Sequence, residues 1–176
     1  EQQVREELAA LYRLAAHFRM TDMIDTHITA RLPGSPGEPP AFLINRYGVL
    51  FHEMRASDLV KIDHLGNVID ERARSEPALF RVNAAGFTIH SAIHAARGDL
   101  HFVIHTHTAA GTAVSAQEQG LLPISQHALK FYGKLACHDY EGIALELGVG
   151  INTVLTYRKR AYARLGISSQ NELMRI

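Results

Sequence analysis

A chain of 176 residues, 47% hydrophobic and 20% charged, can bury one real core or one core plus a small appendage. This ordinary globular composition, with 18 basic residues balancing 18 acidic ones, excludes a low-complexity chain, and no internal repeat marks a solenoid or propeller. Cys137 is the only cysteine, so no intramolecular disulfide can form and a reduced, cytoplasmic setting is expected. No apolar run reaches the roughly 20 residues that span a bilayer, and no signal peptide opens the chain. A start at Glu1 rather than Met implies that a leading piece was removed or left out.

In chain order, Val4, Leu8, Leu11, Ala15 and Phe18 recur at helical spacing and predict an amphipathic first helix. Alternation from Thr26 to Leu32, with Ile28, Ala30 and Leu32 on one side, predicts a strand. The Pro/Gly-rich stretch 33–40 must be loop, and Phe42, Leu43 and Ile44 follow as a short buried strand. Residues 57–63, 64–67 and 68–69 read as strand, tight turn and strand. A helix over 87–96 is expected to bury Phe87, Ile89, Ala92, Ile93 and Ala96. Phe102, Val103 and Ile104 form a buried strand that delivers His105 and His107 at its end. Helices are predicted at 108–117 and 125–131, and a strand at 135–138. Alternating helices and strands give one layered α/β or α+β domain whose strand sense is not legible.

Eleven histidines are many for this length, and most need no metal to explain them. His90 and His94 lie one helical turn apart without an acidic partner, so a polar stripe beside the core is the preferred reading over chelation. His17, His27, His52, His64 and His101 stand isolated in sequence and are read as surface or hydrogen-bonded residues. His105 and His107, at i and i+2 of a strand end, project to one face and suit Zn²⁺ or a similar divalent ion.

The runs 83–97 (Asn83 to Arg97) and His105-Thr106-His107-Thr108 resemble the class II aldolase/adducin domain. So do Gly120 to Ser125, His138 to Gly142, His27 to Arg31, Asn45 to Gly48 and Asp58 to Asp63. The resemblance runs from about Val4 to Leu145, within a domain of residues 1–145, and implies a three-layer α/β/α fold, assembled as a homo-oligomer, usually a tetramer. It also implies a three-histidine metal centre containing His105 and His107, and a small carbonyl or hydroxy-carbonyl ligand. The chain departs from the sugar-phosphate aldolases, which place Ser-Ser-Glu where Ala84, Ala85 and Gly86 stand. It sits nearer the adducin-like branch. No histidine follows His138, so the family's third ligand is missing, and water, His127 or His138 would complete a partly occupied Zn²⁺ site.

Residues 146–176 carry five basic and two acidic residues. A turn after Gly148, a cap at Asn152 or Thr153, and a basic helix ended by Gly166 resemble the C-terminal part of a LuxR-type helix-turn-helix. That resemblance implies that Thr153, Thr156, Arg158, Lys159 and Arg160 face DNA, although its first helix is absent and Gly150 replaces a usual Ser. A basic tail without a DNA role is the plainer alternative. The two resemblances meet within 141–148, so a small all-α tail fused to an incomplete aldolase-like domain is expected. Three functions compete: a metal-binding, lyase-related domain with impaired catalysis, a transcriptional regulator, and a structural or oligomerising domain.

Overall fold

The computed structural model describes residues 1–35 and 37–136. The chain divides into two units, Glu1–Thr108 and one from Ala109 onward. The first unit contains α1 (Gln2–His17), β1 (His27–Arg31), β2 (Ala41–Asn45), β3 (Leu59–Asp63), α2 (Ala84–Ala96) and β4 (Phe102–His105). The four strands form one antiparallel sheet in the order β3-β2-β1-β4.

Two cores lie on opposite faces of this sheet, because successive strand residues point to opposite sides. Ile28 and Ala30 of β1 and Leu43 of β2 join Leu8, Tyr12 and Ala15 of α1 in the first core. Phe42 and Ile44 of β2 and Val60 and Ile62 of β3 join Phe87 of α2 in the second. Helix, sheet and helix make the expected three layers within this unit.

The first helix follows its periodicity with two changes. Tyr12, outside the predicted apolar set, is fully buried. Its hydroxyl accepts from the backbone N–H groups of Ile28 and Asn45 and donates to the Ile28 carbonyl, tying α1 to the first two strands. Phe18, expected in the core, lies beyond the last helical turn and is 61% exposed.

The second helix starts at Asn83, whose side chain accepts from the Gly86 N–H as an N-cap. Its buried face corrects the apolar reading: Phe87, His90 and His94 face inward, whereas Ile89, Ala92 and Ala96 are exposed. The cause lies on β1. Thr29, on the α2 face, is fully buried and its hydroxyl meets His90 Nδ1 at 2.7 Å and His94 Nε2 at 3.0 Å. Buried polar groups need partners, and this hydroxyl draws two imidazoles inward where apolar side chains would leave it unpaired.

The turn after β3 has Gly66 at φ +86°, a backbone open to glycine, and Asp63 accepts from the Leu65 and Asn67 N–H groups. Residues 57–58 belong to a short 3₁₀ turn rather than to the strand, and 68–69 contribute only a bridge from Val68 to Ile62. Among the described residues β4 pairs with β1 only, and Ile104 is 49% exposed against the expected full burial.

In the second unit, Ala109–Ser115 forms α3 and Gln126–Leu129 forms α4, whose cap Ser125 accepts from the Ala128 N–H. Leu135 and Ala136 are not in a strand, contrary to expectation. The remainder of that predicted strand, Cys137 and His138, and the whole predicted helix-turn-helix lie outside the described residues. Among the described residues no helix is long and apolar enough to cross a membrane.

Candidate metal centre

Strand pairing assembles the site. His27 and His105 are direct partners across the β1–β4 pair, so both rings stand on the α2 face at one end of the sheet. His107 follows two residues after the strand ends, and its backbone N–H donates to the Met20 carbonyl. That bond ties it to the loop between α1 and β1, which also carries Asp22.

The rings form a chain of close contacts. His27 Nε2 lies 3.1 Å from His105 Nδ1, and His105 Nε2 lies 3.1 Å from His107 Nε2. His107 Nδ1 lies 3.2 Å from Asp22 Oδ2. A carboxylate only accepts, so this nitrogen is the donor and His107 Nε2 keeps its lone pair while the ring is neutral. His90 packs edge-on against His27 with ring centroids 4.4 Å apart. A small cavity of about 130 Å³ is lined by His27, His90, His105, Ile89, Ile93, Val103 and Ile104.

Burial disfavours the charged form of His27, His90, His94 and His105. His27 is 3% exposed, and desolvation, with the charges of His105 and His107, pushes its pKa down to about 3. His90 is pushed down to about 2 by desolvation and by the neighbouring His27, His105 and His94. His94 is lowered by burial and by Arg31, and His105 by burial and by His107. Neutral rings retain the lone pair that a metal ion requires.

Two imidazole nitrogens sharing a tetrahedral Zn²⁺ at about 2.0–2.1 Å stand roughly 3.3 Å apart. The 3.1 Å between His105 Nε2 and His107 Nε2 is close to that bite. The remaining Nδ1 atoms face His27 and Asp22, as outer partners of ligating histidines do. The spacing is that of two ligands, not of a complete set. Among the described residues no group of three or more His, Cys, Asp or Glu side chains is placed to hold one.

Gly86, in the first turn of α2, lies against this chain. A Cβ built there would fall 2.5 Å from His27 Cδ2 and closer still to Nε2. The ring of His27 occupies the space that a side chain at position 86 would need. Sequence reasoning missed this role, because His27 is isolated in sequence and meets Gly86 and His105 only through the fold. Asp22 and Thr29 were missed for the same reason. His127 belongs to the second unit, and His138, Thr153, Thr156, Arg158, Lys159 and Arg160 lie outside the described residues.

Residues 6–165 match the Class II Aldolase and Adducin N-terminal domain. The chain belongs to the class II aldolase/adducin family. This family match runs past residue 145 and through most of the stretch read as a helix-turn-helix, and no relative supports a LuxR-type fusion. A Caulobacter vibrioides protein named provisionally as an aldolase class 2 protein is 55% identical over 147 residues, 84% of this chain and 54% of that protein. Alpha-adducin of Rattus norvegicus is 46% identical over 83% of the chain but only 19% of its own length. An aldolase II superfamily protein from Pseudomonas syringae superposes with a TM-score of 0.74 at 52% identity, covering 94% of this chain and 60% of that one. An L-fuculose 1-phosphate aldolase from Glaciozyma antarctica gives 0.65 at 32% identity over 75% and 51%. The chain thus spans about half the length of the bacterial relatives it matches.

Proposed function

We propose that this class II aldolase/adducin domain binds a divalent ion, Zn²⁺ by its donor chemistry, through His105 and His107. Its ligand is a small carbonyl or hydroxy-carbonyl compound. The supporting observation is the approach of the two Nε2 atoms to 3.1 Å with both Nδ1 atoms engaged behind them. A bound divalent ion would supply Lewis acidity to a carbonyl oxygen. The chain's own residues supply the rest: His105 and His107 present their Nε2 atoms, Asp22 holds the His107 ring, and His27 backs the His105 ring.

Gly86 has no side chain with which to move a proton. Loss of a positioned general acid/base typically costs on the order of a hundredfold to ten-thousandfold in rate. Efficient aldol cleavage, of the kind named for the Glaciozyma relative, is therefore not the activity assigned to this chain. Two protein imidazoles also hold Zn²⁺ less firmly than three, so occupancy is partial and a chelator strips it. The test is metal content after equilibration with Zn²⁺ and gel filtration. Bound zinc that disappears in the His105→Ala/His107→Ala double variant supports the reading, and undiminished zinc in that variant ends it.

For residues 146–176 a DNA-binding reading rests on the sequence motif alone. It places Thr153, Thr156, Arg158, Lys159 and Arg160 against DNA, with affinity in the non-specific range of roughly 10⁻⁴–10⁻⁶ M. A mobility-shift titration decides it: loss of binding in the Arg158→Ala/Arg160→Ala variant is expected, and unchanged binding removes these residues from the interface.

A further inference from the structure

The outward side of α1 is not a plain solvated face. Glu7, Leu11, Leu14 and Phe18 follow one another at intervals of four, three and four residues, so they share one stripe along the helix. Leu11 is partly buried against the first core, whereas Leu14 is 49% exposed and Phe18 61%. Among the described residues neither Leu14 nor Phe18 belongs to either core. A single exposed leucine needs no explanation, but apolar residues at this spacing are how one helix packs on another.

Charge sets the direction of that packing. Glu6 and Glu7 are exposed in the first half of α1, and Arg13, His17 and Arg19 in or just beyond the second. The two carboxylates accept from the amides of Gln2 and Gln3. Among the described residues none of Glu6, Glu7, Arg13 and Arg19 is in an ion pair. Acid before base suits the dipole of a lone helix. Beside an apolar stripe, the same order makes the face complementary to its own copy. A second α1, turned end for end about an axis between Leu11 and Leu14, sets leucine against leucine. It also brings the acidic end of each helix beside the basic end of the other. A parallel copy would set like charges together, and a uniformly acidic partner would meet Glu6 and Glu7.

We propose that the outer face of α1 is a self-association surface, occupied by a second copy of this chain packed antiparallel about a two-fold axis. The association leaves the fold untouched. Leu8, Tyr12 and Ala15 stay in the first core, and Arg5 stays turned inward to the Leu59 carbonyl and Asp70. The contact is one helix wide, so the dimer is weak and depends on concentration. It asks nothing of the histidine pair.

The test is sedimentation equilibrium of the 176-residue chain from roughly 10 µM to 1 mM. Excess chelator is present throughout, so that no shared metal ion links two copies. The unaltered chain is expected to move from monomer to dimer across this range, and less readily as salt rises. Leu14→Glu, which puts a charge beside the axis, should weaken the dimer about tenfold or more. Glu6→Lys/Glu7→Lys makes the exposed face basic at both ends, and Arg13→Glu/Arg19→Glu makes it acidic at both. Each double variant should be monomeric alone, and the two should pair when mixed in equal amounts. All the substituted side chains are exposed, and a thermal melt verifies that each variant is folded. An unaltered chain that stays monomeric throughout overturns the proposal. So does association that ignores Leu14→Glu, which would lie on another face. Failure of the two charge variants to pair on mixing overturns it as well. The first readout needs no substitution, so it decides the matter even if a variant fails to fold.

Discussion

Gly86→Ala is the smallest change that probes the packing of the His27 ring. The added methyl would sit 2.5 Å from His27 Cδ2, about 1 Å inside an ordinary contact, and His27 is 3% exposed with the sheet behind it. Overpacking of this kind costs about 1–3 kcal/mol. Displacing the ring also stretches its bond to His105, worth about 0.5–1.5 kcal/mol. Against these stands the better helix propensity of alanine, at most about 1 kcal/mol and smaller in the first turn. The balance is a loss of about 1–3 kcal/mol, read as a lowered midpoint in urea denaturation. Zinc affinity should weaken in the same variant, since the ring behind His105 has moved. A Gly86→Ala variant as stable as the parent, with unchanged zinc affinity, would show that His27 has room to withdraw and that Gly86 has no steric role.

Acid should unfold the domain early. His27 and His90 have folded-state pKa values far below the unfolded value of about 6.5. Their contribution is therefore complete above pH 6.5 and declines as pH falls towards 3, by about 1.4 kcal/mol per pH unit for each ring. Urea midpoints measured from pH 7.5 to 4.5 check this, and a flat profile would contradict the buried, neutral assignment. Thr29→Val keeps the shape of the side chain but leaves His90 Nδ1 and His94 Nε2 unpaired. A loss of about 2–4 kcal/mol is expected by thermal or urea denaturation, and a neutral result would mean that the two rings find other partners. Assayed with Zn²⁺ and L-fuculose 1-phosphate, the chain should turn over at least a hundredfold more slowly than an aldolase with its acid/base intact. Comparable rates would show that a group other than residue 86 moves the proton.

Most strands and helices of the first unit were legible from local pattern. Alternation marked β1, and an apolar run followed by His105 marked β4. The helical face of α2 was not legible. Periodicity favours Ile89 and Ala92, and only the Thr29 hydroxyl across the sheet turns His90 and His94 inward. His105 and His107 were visible as a pair because i and i+2 geometry is local. Their partners His27 and Asp22 lie 78 and 85 residues away in sequence. Strand register brings the first into place, and the loop bonded to His107 brings the second. Gly86 was readable as a missing acid/base but not as the opening that admits an imidazole, since that depends on where His27 stands.

The metal pair is tested most directly by titrating the metal-free chain with Co²⁺ and following its visible ligand-field absorption. Low-coordinate, imidazole-bound Co²⁺ gives intense bands that the hydrated ion lacks. The account expects such bands to grow gradually with excess Co²⁺, to vanish on addition of Zn²⁺, and to be absent in His105→Ala and in His107→Ala. Bands that persist unchanged in both single variants, or a chain that gives none at any concentration of Co²⁺, would contradict it.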